Sequence, residues 1–226
     1  MQYDVITYGE KALLMQFKNE ISVEVHLQVK ACYLYLKNNK IKGIDSLIPA
    51  YNSLTILYNP DRIEGKTLQM FLENTPFKVS DDVKETQNTV EIPVCYQGDF
   101  ALDMNEVSKK INLSISEIIE LHTAKPYLVY MLGFAPGFMY LGGLDKRLHM
   151  PRKETPRLKI PAGAVGLADQ QTGVYPLETP GGWQIIGQTP LQLFSKEKPA
   201  LVSMGDLVQF VPISAKEFHK IKKECK

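Results

Sequence analysis

Between residues 127 and 211 apolar side chains come only in short runs, at 127–132, 164–168, 183–186, 191–194 and 207–211, each broken by glycine, proline or another turn residue. Runs this short suit strands rather than core helices. They constrain this half of the chain to a compact β-barrel with long loops. Ahead of it stand a short strand at 91–95 and two short helices that open with the capping patterns Asp103-x-x-Glu106 and Ser114-x-x-Glu117. A basic helix at 214–223 closes the chain.

The first half follows another pattern. Strands at 3–7 and 12–17 flank a turn at Tyr8-Gly9-Glu10, and Val25, Val29, Cys32, Tyr33 and Leu36 then fall at helical spacing, with Ser22 as N-cap and Asn38-Asn39 as the break. Strands at 44–50 and 53–58 and a helix carrying Leu68, Phe71 and Leu72 complete a ββαββα unit. Residues 78–88 are polar and of mixed charge, the composition of a linker. The expected class is therefore α+β: an N-terminal α+β domain over 1–80 and a β-barrel domain over 81–226.

Composition excludes several functions. Twenty-six Lys and Arg against 25 Asp and Glu give a net charge of +1, which lacks the electrostatic footprint of nucleic-acid binding. Cys32, Cys95 and Cys225 are far apart in a pattern that suits a reducing cytosol and suggests no metal site. No signal peptide or membrane span is legible, so a cytoplasmic protein is expected. Neither GxxxxGK[ST] nor GxGxxG occurs, so any nucleotide is expected on another chain. GxSxG and HExxH are missing too.

Three segments carry candidate chemistry. Residues 133–143, GFAPGFMYLGG, combine close backbone approach with flat aromatic faces and suit either a ligand wall or a plug at a barrel end. Residues 146–159 hold six cationic side chains against the single acid Glu154, and Arg152 and Arg157, each preceded by proline, have the forked geometry that grips a carboxylate; a solvated charge run is the plainer alternative. Residues 160–166, 171–176 and 179–183 offer hydroxyls, amides and flexible backbone able to donate to a polarised carbonyl, or simply turn chemistry. His26, His149 and His219 have ordinary settings. His122 ends a helix just before the glycine-rich region, where imidazole serves either as general acid or base or as a packing and capping group.

The runs GFAPGFMYLGG, MPRKETPRLKIPAGAVG and QTGVYPLETPGGWQIIGQTP closely resemble the family that contains the B subunit of 5-oxoprolinase (PxpB), the kinase inhibitor KipI and the first-subunit domains of allophanate hydrolase. The resemblance implies a cyclophilin-like barrel behind a small α+β domain. It also implies ATP-driven opening of 5-oxo-L-proline to L-glutamate together with the A and C subunits of 5-oxoprolinase, ATP being held by a partner and neither metal nor biotin by this chain. His122 is the expected catalytic group. Phe134, Pro136, Gly137, Phe138, Tyr140, Arg152, Arg157, Pro161, Gly163, Thr172, Tyr175, Thr179, Gly182 and Trp183 are the expected substrate-binding residues, in a pocket that the KipA-like C subunit completes. Inhibition of a sporulation histidine kinase in the manner of KipI, and carboxyl transfer of the urea carboxylase kind, are the alternatives; proline isomerisation is disfavoured because fold does not carry function.

Overall fold

The computed structural model describes residues 1–81, 83, 88–197 and 200–224. Part of the expected linker, at residues 82 and 84–87, and Cys225 lie outside the described residues. Contacts divide the chain into two compact units, Met1–Gln87 and Asn88–Lys226.

In the first unit β1 (Asp4–Thr7), β2 (Ala12–Gln16), α1 (Val23–Asn39), β3 (Ile44–Pro49), β4 (Ser53–Tyr58) and α2 (Gly65–Asn74) follow the expected ββαββα order. The strands form an antiparallel sheet in the order β1-β2-β4-β3. Alternation along β4 buries Leu54, Ile56 and Tyr58, and these meet Val25, Val29, Cys32 and Leu36 of α1 and Leu68 and Leu72 of α2. Ser22 caps α1 as expected, its hydroxyl accepting from the Val25 N–H at 3.3 Å.

The second unit contains β5 (Thr89–Cys95), α3 (Met104–Ile111), α4 (Ile115–Thr123), β6 (Tyr127–Leu132), β7 (Met139–Gly142), β8 (Arg157–Ile160), β9 (Ala164–Ala168), β10 (Gln171–Val174), β11 (Thr179–Gly181), β12 (Gln184–Gln188), β13 (Leu207–Ile213) and α5 (Ala215–Glu224). Seven strands close a barrel in the order β10-β7-β6-β13-β5-β12-β9, so the expected barrel is present, and β8 and β11 pair as a separate two-stranded ribbon. All barrel pairs are antiparallel except β5 with β13, which run parallel.

Strand alternation sorts the side chains of β7, β9 and β10 into two clusters. Met139, Leu141, Val165, Leu167 and Val174 join the barrel interior with Ile118 of α4 and Val107 of α3. Phe138, Ala164, Ala168, Tyr175 and Trp183 form a second cluster on the outer side of the same strands, with Ile160 of the ribbon.

The structure corrects four expectations from sequence. Residues 133–143, where no strand was expected, carry the turn after β6 and the strand β7, and the barrel includes Gln171–Val174, where glycine and threonine hid the strand. Residues 191–194 form no strand. Ser114 and Glu117 make the expected capping box, but Asp103 makes no side-chain cap to α3 because its carboxylate is engaged elsewhere.

Gly163 closes the turn between β8 and β9. It sits at φ +82°, donates to the Tyr175 carbonyl at 2.7 Å and accepts from the Thr189 N–H at 2.8 Å, and a Cβ there would run into the Thr189 carbonyl oxygen. Both the left-handed φ and the clash oppose any other residue. Gly163→Ala is therefore expected to cost about 2 kcal/mol or more, seen as a lower urea midpoint.

Candidate functional site

The outer-face cluster is an aromatic wall. Phe138 is its hub, with ring centroids 4.7 Å from Tyr140, 5.0 Å from Tyr175, 5.5 Å from Trp183 and 5.6 Å from Phe134, mostly edge to face. Phe138, Tyr175 and Trp183 are buried, Tyr140 is half-buried, and Phe134 is 65% exposed at the rim. The wall rests on glycine. A Cβ on Gly173 would lie 2.9 Å from the Trp183 ring and 2.8 Å from the Met139 carbonyl, and one on Gly166 would lie 3.0 Å from the Trp183 Cβ.

The hairpin turn explains how Phe134 reaches the rim. Ala135 N–H donates to the Gly133 carbonyl at 2.8 Å across Phe134, which sits at φ +66°, so Phe134 centres a strained γ-turn. A type II turn follows, with Pro136 and then Gly137 at φ +82° at its centre and Phe138 N–H donating to the Ala135 carbonyl at 3.0 Å. Holding a bulky aromatic at positive φ costs about 1–3 kcal/mol, the kind of strain that gathers at functional sites. Beside the turn lies an open depression of about 450 Å³ lined by residues 132–137 and Ala200.

The two candidate arginines have different environments. Both terminal guanidinium nitrogens of Arg157 donate to Asp103, at 2.7 and 2.6 Å, so its end-on fork is already engaged by a carboxylate. Arg152 is exposed, its nearest carboxylate being Asp169 at 3.5 Å, and it lies close enough to act electrostatically on the phenols of Tyr140 and Tyr175. Burial raises both phenol pKa values, with Arg152 opposing.

Asp103 is the residue that sequence reading missed. Its buried carboxylate also accepts from Lys153 Nζ at 3.0 Å and from the Ile185 N–H at 2.7 Å. Burial works against its ionisation, but Arg157, the Ile185 N–H and Lys153 together hold its pKa below the usual value. Removing one partner of such a pair costs about 3–5 kcal/mol. The one sequence signal was the excess of cations in residues 146–159, which suits an acid elsewhere in the fold as well as a solvated run.

His122 and Thr172 face the barrel interior. His122 is fully buried and stacks on Phe210 at 4.6 Å. Thr172 Oγ1 donates to the Gly166 carbonyl at 3.0 Å and so accepts from His122 Nε2–H at 2.9 Å, leaving Nδ1 to accept from the Tyr96 hydroxyl at 2.8 Å. The Tyr127 hydroxyl donates to the His122 carbonyl at 2.9 Å. The imidazole is neutral, its pKa lowered to about 3 by burial. General acid or base chemistry from this position would have to pass through Thr172 or Tyr96.

Of the remaining candidates, Gly182 accepts from the Lys153 N–H at 2.7 Å and joins the basic strap to the wall. Pro161 and Gly163 belong to the turn after β8, and Thr179 pairs with Ile160 in the ribbon. Among the described residues no cluster of three or more His, Cys, Asp or Glu side chains is placed to hold a metal, and no helix is long and apolar enough to cross a membrane.

The family model for the carboxyltransferase domain, subdomain C and D, matches residues 3–203. The chain is 43% identical to the B subunit of 5-oxoprolinase from Bacillus subtilis (strain 168), over 99% of this chain and 98% of that protein. The chain belongs to the family of 5-oxoprolinase B subunits. Another member, from Escherichia coli O157:H7, is 39% identical over 90% of this chain and 93% of its own length. The crystal structure of TTHA0988 superposes with a TM-score of 0.80 at 33% identity; the match covers 91% of this chain but only 40% of that one.

In this member of the B-subunit family the buried imidazole sets a pH dependence. A folded-state pKa depressed from 6.5 to about 3 contributes stability that is complete above 6.5 and is lost as pH falls towards 3. At about 1.4 kcal/mol per pH unit, lowering the pH from about 7 to about 5 should remove about 2 kcal/mol. Urea unfolding followed by tryptophan emission should show this fall, and His122→Gln should remove the part due to His122, leaving any part due to His26 of the first unit, whose pKa burial also lowers, to about 4.

Proposed function

We propose that the chain is the B subunit of a cytoplasmic ATP-dependent 5-oxoprolinase, acting with the A and C subunits to convert 5-oxo-L-proline to L-glutamate. The observation that carries the reading is 43% identity, spanning almost the whole of both chains, to a protein named as the B subunit of that enzyme. ATP is assigned to a partner subunit, where transfer of its γ-phosphoryl group to the lactam carbonyl oxygen leaves ADP; one water then adds to the activated carbon and the ring C–N bond breaks, and a second water releases phosphate to leave glutamate. This chain supplies shape and charge: Phe134 and Tyr140, backed by the buried rings of Phe138, Tyr175 and Trp183, offer an apolar face to a small ring, and Arg152 offers a guanidinium to its carboxylate.

The geometry favours Arg152 over Arg157 as the carboxylate ligand because the Arg157 fork is already bound to Asp103. His122 has no route to substrate except through its two hydroxyl neighbours, so its role is placed behind the wall. Carboxyl transfer is the second reading, favoured by the description of the matching family model. Both reactions develop charge on a carbonyl group, and the choice between them falls to product analysis.

Release of ADP and glutamate from ATP and 5-oxoproline should require this chain together with the A and C subunits, and omission of any one should abolish it. No turnover in a verified assembly would turn the assignment towards kinase inhibition. In the active assembly Arg152→Ala should raise KM for 5-oxoproline about 10- to 100-fold with the fold intact, the worth of a hydrogen bond to a charged group. Arg157→Ala should instead lower the unfolding midpoint of the isolated chain.

A further inference from the structure

His122 and Trp183 stand on opposite sides of the barrel sheet, and one threonine joins them. Thr172 points inward, its hydroxyl within 2.9 Å of His122 Nε2. The next residue, Gly173, points outward by strand alternation and leaves the space that the Trp183 ring fills. The same hydroxyl donates to the carbonyl of Gly166 at 3.0 Å, and Gly166 pairs with Gly173 across β9 and β10 and lies beneath the Trp183 Cβ. Thr172 is thus bonded covalently to one floor glycine and by hydrogen bond to the other.

We infer that His122 is a positioning residue: through Thr172 it fixes Gly166 and Gly173, the floor on which Trp183 and the rest of the aromatic wall are seated. The floor has little slack, since Gly173 lies against the Met139 carbonyl, Phe138 and Trp183 and has no side chain of its own to wedge it. Thr172 cannot satisfy the Gly166 carbonyl and also turn its proton towards His122, so the imidazole must remain the donor at Nε2. Tyr96 enforces that tautomer from the other side of the ring, donating to Nδ1. Phe210, stacked at 4.6 Å, and the Tyr127 hydroxyl on the His122 carbonyl hold the ring and its backbone in place. The consequence for turnover rests on the wall being the substrate face; the mechanical part does not.

Trp183 is the single tryptophan of the chain and is 4% exposed, so its emission reports on the wall without any assay of activity. In the full-length isolated chain, Thr172→Val and His122→Ala should each shift emission to the red and increase quenching by acrylamide. The double variant should shift it no further than either alone, because both cut one link. His122→Gln, which keeps a donor towards Thr172, and Thr172→Ser, which keeps the hydroxyl, should restore the native spectrum. Val208→Ala, an interior truncation on β13, should leave emission unchanged.

The inference is wrong if Thr172→Val moves Trp183 no more than Thr172→Ser does, or if Val208→Ala moves it as far. Should His122→Ala fail to fold, the two threonine variants decide the matter alone. In the assembled complex Thr172→Val should raise KM for 5-oxoproline about tenfold with kcat little changed. A spectral shift without that kinetic effect would keep the lever and discard the substrate assignment.

Discussion

A carboxylate taken out of water has to be surrounded by donors, and in the barrel unit that requirement organises the outer face. Asp103, next to α3, draws in Arg157 of the ribbon, Lys153 of the basic strap and the backbone of β12. Of these, β12 is held by the barrel ladder, whereas the ribbon and the segment around Lys153 lie outside it. Anchored together, they bring the ribbon and strap alongside Tyr175 and Trp183. The cost of dehydrating the carboxylate is offset only because all of these donors converge. The node also separates the arginines, by binding Arg157 to Asp103 and leaving Arg152 exposed.

The second organising fact is that a barrel strand has two faces with different duties. Inward residues of β7, β9 and β10 join an apolar core that also holds a neutral histidine, and outward residues join an aromatic wall. A substitution on one face is felt on the other through a backbone with little room to relax. The proposed assignment gives such a wall a reaction, in which a small cyclic amide is held in place for attack by water while a partner delivers the energy of ATP.

Much of this is legible in the sequence where local chemistry decides structure. The N-terminal order of elements, the Ser22 and Ser114 caps and strands β6 and β9 all follow from periodicity and capping residues. The aromatic members of the site stand out by residue type, because few other roles gather Phe, Tyr and Trp among glycines. What remains hidden depends on closure. Residue type puts Thr172 and Trp183 together in one pocket, although closing the barrel sends one inside and the other outside. The partner of Arg157 lies 54 residues away, and no spacing rule points from one to the other. Strands β7, β10 and β11 are lost among turn residues because glycine, needed there to make room for aromatic rings, carries no strand signal of its own.

The parallel pairing of β5 with β13 ties seven residues near the start of the barrel unit to seven near its end. A nascent chain emerging from the ribosome therefore displays two unpaired strand edges until β13 has been synthesised, and cannot complete its barrel before then. Contacts of such long sequence separation slow folding and leave sticky edges waiting. For a protein of this design, the barrel can close only once its last strand has been made.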